Sequence, residues 1–145
     1  LNDVVVARGA LVRSINVQVT VDEAPLILYW ADGVIVATAT GSTAYAFSVG
    51  GPLILPTSQN ITLVPIAPHL SFPNAFVFDP DQHITLDLQD EPARLSIDGQ
   101  VEHDLARGDR IEVRRSQTVA RLVRTAHARP FLSLLRQKIL KEPEK

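Results

Sequence analysis

Branched apolar and polar residues alternate without a break in the stretch Ile15-Asn16-Val17-Gln18-Val19-Thr20-Val21. Because successive side chains of a β-strand point to opposite faces, this period predicts a strand with one buried face and one solvated face. Residues Asp22 to Pro25 then predict a turn, and residues Leu26 to Trp30 predict the returning strand. This part of the chain is therefore expected to form antiparallel sheet.

Short strands separated by turn residues continue along the rest of the chain. Prolines divide it into pieces that are too short for long helices, at positions 56, 65, 68, 73, 80 and 92. Further strands are predicted over residues 33–37, 60–64, 75–78, 83–88, 95–97, 100–103, 110–114 and 118–124. The pair Asp98-Gly99 between two of them is typical of a type I′ hairpin turn. The pattern predicts a mainly β fold of the two-sheet sandwich type.

Two helices are predicted in addition to the strands. A short helix from Ser42 to Val49 follows the strand Gly33–Ala37, which is apolar throughout, and Gly50, Gly51 and Pro52 end it. The second helix covers residues 131–140, where apolar residues recur at helical spacing. We find no internal repeat and no linker, so residues 1–145 are expected to form a single domain.

The composition limits the classes of function. A hydrophobic fraction of 46% with 21% charged residues predicts a packed core, and the absence of cysteine excludes disulfides and thiolate chemistry. A net charge of −2 provides no basic field for nucleic acid or for an anionic membrane surface. No apolar run approaches the roughly 20 residues of a membrane span. We expect a cytoplasmic protein with neither nucleic acid nor membrane as a partner.

The segment Thr38-Ala-Thr-Gly-Ser-Thr-Ala-Tyr-Ala-Phe-Ser-Val-Gly-Gly-Pro52 is the strongest candidate for a binding site. Unpaired N–H groups at the start of the predicted helix can meet a ligand's acceptors, and Tyr45 offers a flat face to a purine. Thr43 and Ala44 can bond to the edge of the base. The alternative is an ordinary helix start, capped by Thr40 or Ser42, with Tyr45 in the core. A Walker loop is excluded because its Gly-Lys pair is absent.

Read together with Asp32 and Gly33 before it, this segment resembles the signature of the NAD kinase family, a D-G, a strand and then T-x-T-G-S-T-A-Y. Three further stretches are similar to motifs of that family, the asparagine-acid motif, the T-P-I-C-P-H segment and the S-x-D-G-Q hairpin. They are Leu1–Val6, Pro65–His69 and Ser96–Gln100. The resemblance implies the mainly β, C-terminal domain of an NAD kinase.

The resemblance also implies the residues that bind NAD. They are Asn2, Asp3, Asp32, Thr40, Thr43, Ala44, Tyr45 and Ser48. Family members use the positions of Thr43, Ala44 and Tyr45 for adenine, and Ser48 belongs to the same pocket. Thr40 corresponds to a position near nicotinamide, and Asp32 to an aspartate that reaches nicotinamide, in several members across a subunit boundary.

The first two residues of this set match the family's Asn-Glu motif, which binds the hydroxyls and the adenine amine of NAD. Here the acid is Asp3, which is one methylene shorter than glutamate. Without the family, Asn2-Asp3 before three valines would most often be a turn that enters a strand. His69, in the Pro-x-x-Pro-His match, is a weaker candidate for the site. Asp98 is expected to serve the hairpin turn rather than catalysis, and the histidines show no metal-ligand spacing.

The Gly-Gly-Asp-Gly-Thr motif of NAD kinases, which carries the aspartate assigned to catalysis, does not occur in this sequence, and the chain begins at Leu1 without any methionine. We therefore expect the C-terminal half of a larger kinase, with no catalytic residue of its own and inactive alone. The parent enzyme would phosphorylate the 2′-hydroxyl of the adenosine ribose of NAD with ATP or polyphosphate. It would use Mg²⁺ or another divalent metal, held mainly by the N-terminal domain. A homo-oligomer is expected. The alternatives are a non-catalytic NAD(P)-binding domain and a lipid kinase of the diacylglycerol or sphingosine type.

Overall fold

Every strand among the described residues lies in the first of two compact units, residues 1–115 and residues 116–145. The structure, a computed structural model, describes residues 1–9, 13–121, 123, 125 and 127–140. The strands are β1 Asp3–Arg8, β2 Ile15–Val21, β3 Ala24–Ala31, β4 Gly33–Ala37, β5 Ile61–Ile66, β6 Phe76–Phe78, β7 Ile84–Leu88, β8 Ala93–Ile97, β9 Val101–Leu105 and β10 Arg110–Val113. The helices are α1 Tyr45–Ser48 and, in the second unit, α2 Phe131–Leu140.

The strands form two antiparallel sheets. One has six strands in the order β6-β5-β4-β1-β8-β9, and the other has four in the order β10-β7-β2-β3. The apolar residues of β2, at alternate positions from Ile15 to Val21, are buried and pack with residues of the first sheet such as Val34 and Leu63. Each such side chain contributes about 1.5–3 kcal/mol by leaving water. The prediction of a mainly β, two-sheet fold is confirmed.

The first sheet is also covered on its other face. A second apolar cluster joins Val5, Ile35, Ala37 and Val64 of this sheet with Ala46 of α1. Strand β4 is consequently buried at every position, as its uninterrupted apolar sequence predicted. This covered face carries the candidate site.

The prediction of one continuous helix from Ser42 to Val49 is wrong. A 3₁₀ turn over Gly41–Thr43 comes first, Ala44 follows with non-helical dihedrals of −98° and −130°, and only then does α1 begin. The buried hydroxyl of Ser42 donates a hydrogen bond back to the carbonyl of Ala39 at 2.7 Å. Such local bonds offer the backbone an alternative to the helix. As predicted, the chain turns after the helix at Gly50, which has a φ of +90°.

The two hairpin turns differ in detail from the prediction. Asp22 and Glu23 both have positive φ and form a two-residue turn, so β3 begins at Ala24, before the predicted Leu26. Asp98 and Gly99 also have positive φ, of 53° and 66°. These values fit the predicted type I′ turn. However, Ile97 pairs with Val101, so the loop between the paired residues contains three residues instead of two.

The predicted strand over residues 118–124 is also wrong at the described residues. Residues 118–121 and 123 do not belong to a strand, and residues 122 and 124 lie outside the described residues. The N–H of Thr118 bonds locally to the hydroxyl of Ser116 at 3.0 Å. In contrast, the predicted helix over residues 131–140 is confirmed as α2. Among the described residues, no helix is long and apolar enough to cross a membrane.

Candidate functional site

The first sheet brings three segments together at the beginning of β1. Asp3 pairs with Ala37, the last residue of β4, and Val4 pairs with Ile97, the last residue of β8. Because β4 and β8 are both antiparallel to β1, the loops that leave them emerge at the same end of the sheet. Asn2 and Asp3 therefore lie between the hydroxyl-rich turn after β4 and the hairpin tip after β8.

A cavity of about 320 Å³ lies where these segments meet. It is lined by Asn2, Asp3, Val5, Ala44, Tyr45, Ser96, Asp98 and Gly99. Four predicted site residues thus share one cavity, and the hairpin tip completes its wall. Sequence reasoning did not place the hairpin residues in the site, although the Ser-Ile-Asp-Gly-Gln match was the available signal.

Tyr45 forms an exposed wall of the cavity. Its side chain is 46% exposed, although it belongs to the helix that covers the sheet. The neighbouring Ala46, rather than Tyr45, packs into the apolar cluster. The alternative in which Tyr45 is a core residue is therefore wrong, and its ring is accessible to a flat ligand.

The turn after β4 approaches Asn2 closely enough to require glycine. A Cβ built on Gly41 would lie 1.9 Å from the carbonyl oxygen of Asn2. The same oxygen accepts a hydrogen bond from the N–H of Thr38 at 2.9 Å. Gly41 does not adopt a positive φ. Glycine is therefore needed here because it has no side chain, and not because of its conformational freedom.

The N–H groups of this turn are largely used within it. The N–H of Gly41 donates to the hydroxyl of Thr38 at 3.2 Å, and the N–H groups of Ser42 and Ala44 donate to carbonyls of the turn at 2.9 Å. The Ser42 hydroxyl also accepts the N–H of Ile54 at 3.0 Å. The expectation that these three N–H groups are unpaired is wrong, and neither Thr40 nor Ser42 caps a helix through its side chain.

Three other predicted residues belong to the same segment but do not line the cavity. Thr40 and Ser48 are exposed, and Thr43 is half-buried, with its hydroxyl donating to the carbonyl of Thr40 at 3.2 Å. Ser48 is the last residue of α1, one turn beyond Tyr45. They are close in sequence to Ala44 and Tyr45, which line the cavity. Only a ligand that extends beyond the cavity would reach them.

Asp3 is the most buried charged group of the cavity. Only 6% of its surface is exposed. Burial, followed by the nearby charge of Asp98, raises the pKa of its carboxyl. A buried carboxylate accepts hydrogen bonds strongly, so this position suits a ligand's hydroxyl or amine donors.

Asp32 lies at the opposite end of β1. Its carboxylate pairs with the guanidinium of Arg8 at 3.2 Å, and its backbone bonds to Arg8 and to Ile66. A strand that runs from Asp3 to Arg8 spans about 17 Å. The structure therefore does not bring Asp32 into the cavity of its own chain.

His69 belongs to the Asp32 end as well. Its N–H donates to the carbonyl of Trp30 at 2.7 Å, and its ring lies 5.2 Å from the Trp30 ring.

A larger concavity, of about 670 Å³, lies against the solvated face of the second sheet. None of the predicted site residues lines it, and its Asp87 and Arg110 are paired at 2.6 Å. The smaller cavity is therefore the candidate site.

Comparisons with known proteins identify the family of the chain. A family model described as the ATP-NAD kinase C-terminal domain matches residues 1–125. The chain belongs to this family. A relative named NAD kinase from Chloroflexus aurantiacus is 48% identical over 136 residues, which cover 93% of this chain and 49% of the relative. Another from Moorella thermoacetica is 43% identical over 141 residues, 96% of this chain and 45% of the relative.

Solved structures of the family share the fold. Yeast NADH kinase in complex with NADH superimposes with a TM-score of 0.72 and 37% identity, over 77% of this chain and 33% of that one. An NAD kinase from Archaeoglobus fulgidus in complex with ATP gives 0.73 and 33% identity, over 81% and 45%. The lipid kinase alternative finds no support. The chain spans about half the length of the curated relatives it matches.

Proposed function

We propose that this chain supplies the NAD-binding part of an NAD kinase, which transfers a phosphoryl group from ATP or polyphosphate to the 2′-hydroxyl of the adenosine ribose of NAD. The observation that carries the proposal is the cavity at the beginning of β1. Four residues that match the family's binding motifs, Asn2, Asp3, Ala44 and Tyr45, line it together. Family membership and the NADH and ATP bound in the two solved relatives support this class of ligand.

The cavity's chemistry suits an adenine nucleoside. In our proposal the exposed ring of Tyr45 lies against the purine, while Thr43 and the backbone carbonyl of Ala44, whose N–H is used within the turn, bond to the edge of the base. Asn2 and the buried Asp3 accept and donate hydrogen bonds at the ribose hydroxyls and the adenine amine. Ser48 extends the adenine side and Thr40 the nicotinamide side, because NAD is longer than the cavity.

The contribution of these residues to the reaction is positioning. Phosphoryl transfer depends mainly on alignment and on neutralising charge, and a divalent ion such as Mg²⁺ supplies much of that charge. Among the described residues, no group of three or more His, Cys, Asp or Glu side chains could hold a metal. The candidate donors therefore do not fit a complete metal site, and we assign neither a metal ligand nor a catalytic residue to them.

We also propose a homo-oligomer in which Asp32 serves the site of a neighbouring subunit. Asp32 lies about 17 Å from Asp3 along β1, too far to contribute to the same cavity. Next to it, the edge strand β3 exposes Leu26, Leu28 and Trp30 at alternate positions. An apolar edge of this kind is typical of an interface. Light scattering should show an oligomer, and Leu28→Asp should dissociate it; an unchanged mass would contradict this assignment.

Both units are proposed to belong to one domain, since the family match continues across the boundary at residue 115. The absence of cysteine from the sequence supports a cytoplasmic location.

The decisive experiment is a kinase assay on the purified full-length protein. We expect NADP from NAD, Mg²⁺ and either ATP or polyphosphate, and no NADP from residues 1–145 alone. Binding of NAD without NADP formation by the full-length protein would favour the non-catalytic binding domain. Absence of NAD binding would refute the proposed site.

A further inference from the structure

The Asp98 side chain does more than complete a hairpin. Its Oδ1 accepts the backbone N–H of Asn2 at 2.5 Å and that of Asp3 at 3.2 Å. In return, the N–H of Asp98 donates to the carbonyl of Asp3 at 3.1 Å. Residues 95 and 96 positions apart in sequence are thus joined by three hydrogen bonds at the wall of the cavity.

The turn itself does not require these bonds. A residue with a φ of 53° is accommodated by Asn or Gly as well as by Asp. A carboxylate at this point also has an electrostatic cost, because its charge contributes to raising the pKa of the buried Asp3. What the carboxylate adds is a charged acceptor for two N–H groups, and such bonds are stronger than neutral ones.

The opposite side of the same backbone is held by the turn after β4. The carbonyl of Asn2 accepts the N–H of Thr38 at 2.9 Å, and Gly41 lies against it. Asn2 is thereby fixed between two loops, one of which leads into α1 and Tyr45. The relative position of Asn2, Asp3 and Tyr45 depends on both attachments.

We propose that Asp98 is a positioning residue of the NAD site, which holds the Asn2–Asp3 backbone so that both side chains meet the ligand opposite Tyr45. The inference rests on the proposed function and deepens it, since it assigns a role to a residue otherwise explained by the turn. Asp98 acts through its neighbours, so its loss should affect NAD rather than the phosphoryl donor.

The chain offers a matched control in Asp22. It also lies in a hairpin turn with positive φ, 48°, and its carboxylate also accepts a distant backbone N–H, that of His83 at 2.9 Å. Asp22 lies in the second sheet and does not line the cavity. Both Asp→Ala variants remove a turn aspartate and its bonds, but only one of them alters the site.

The test is steady-state kinetics and NAD calorimetry on the full-length protein with Asp98→Ala, Asp98→Asn and Asp22→Ala. We expect Asp98→Ala to raise KM and Kd for NAD about ten-fold, as loss of bonds to a charged acceptor implies, with KM for ATP unchanged. Asp98→Asn keeps an acceptor oxygen and should restore NAD affinity to within about three-fold of the wild type, since neutral bonds are about half as strong. Asp22→Ala should lower the melting temperature but leave KM for NAD unchanged.

The outcomes separate the two proposals. If Tyr45→Ala weakens NAD binding but Asp98→Ala only lowers the melting temperature, as Asp22→Ala does, Asp98 is a turn residue and the positioning role is overturned. The role is also overturned if Asp98→Asn and Asp98→Ala impair NAD binding equally. If the wild-type protein does not bind NAD, the proposed function itself fails, and this inference fails with it.

Discussion

Gly41→Ala is the substitution whose effect can be worked out most directly from the structure. The new Cβ would lie 1.9 Å from the carbonyl oxygen of Asn2 and 2.4 Å from its carbonyl carbon, both backbone atoms. The two segments must separate by about 1.5 Å, the difference from an ordinary contact of 3.4 Å. A shift of that size breaks the hydrogen bond from Thr38 to Asn2, now 2.9 Å long.

The separate contributions give an expected magnitude. Overpacking costs about 1–3 kcal/mol, and the lost hydrogen bond costs about 1 kcal/mol. Alanine also lowers the conformational entropy of the unfolded chain, which offsets about 0.4–1 kcal/mol of this loss of stability. We therefore expect the free energy of unfolding to fall by about 1–3.6 kcal/mol and NAD affinity to fall as well, because Asn2 moves away from Tyr45.

Urea unfolding and NAD calorimetry on the full-length protein measure both effects, with Gly9→Ala as the control. Among the described residues, the nearest atom to a Cβ on Gly9 is the Pro92 carbonyl oxygen at 3.9 Å, and Gly9 does not adopt a positive φ. The control should retain its stability and its NAD affinity. If Gly41→Ala is as stable as Gly9→Ala and binds NAD equally well, the close approach of the turn to Asn2 is refuted.

Three further substitutions test the physical account of buried polar groups. The Tyr29 hydroxyl is buried without a hydrogen-bond partner among the described residues, and burial raises its pKa to about 12; Tyr29→Phe should raise the free energy of unfolding by about 1 kcal/mol in urea, and a decrease would contradict this. Ser42→Ala removes the bonds to Ala39 and Ile54 and should cost about 1–2 kcal/mol, with the Kd for NAD unchanged; a weaker Kd would indicate that the hydroxyl serves the ligand. The folded pKa of Asp3 is raised, so its ionisation opposes folding increasingly as pH rises from the ordinary carboxyl range through that pKa. Asp3→Asn should therefore melt higher than wild type at pH 7, an advantage that disappears below pH 3.8, and a constant difference across pH would exclude this cause.

The strands were predictable because burial imposes a pattern on the sequence. β2 alternates because only one of its faces is covered, and β4 is apolar throughout because both of its faces are covered. The short helix was predicted too long because the Ser42 side chain bonds to the Ala39 carbonyl, which offers the backbone an alternative to the helix. The spacing of apolar residues in the sequence does not reveal such a bond. Residues 118–121 have an alternating pattern but do not form a strand.

The candidate site was likewise predictable only in part. Asn2, Asp3, Ala44 and Tyr45 were found through motif resemblance, and the register of β1 with β4 explains why they meet. The same register separates Asp32 from them, which the order of residues alone does not reveal. The bonds of Asp98 to the Asn2–Asp3 backbone were also beyond the sequence, since they depend on the pairing of β1 with β8.

The central claim is that the cavity beside Tyr45 binds NAD, and the most direct test is the Kd for NAD of the full-length wild type, Tyr45→Ala and Tyr45→Phe. Loss of the stacking ring should weaken binding by about 1–3 kcal/mol, which is about 5-fold to 150-fold in Kd. Tyr45→Phe keeps the ring and should lose much less. Because the side chain is 46% exposed, the melting temperature should change little in either variant. An unchanged Kd in Tyr45→Ala, measured well below its melting temperature, would contradict the assignment of this cavity to NAD.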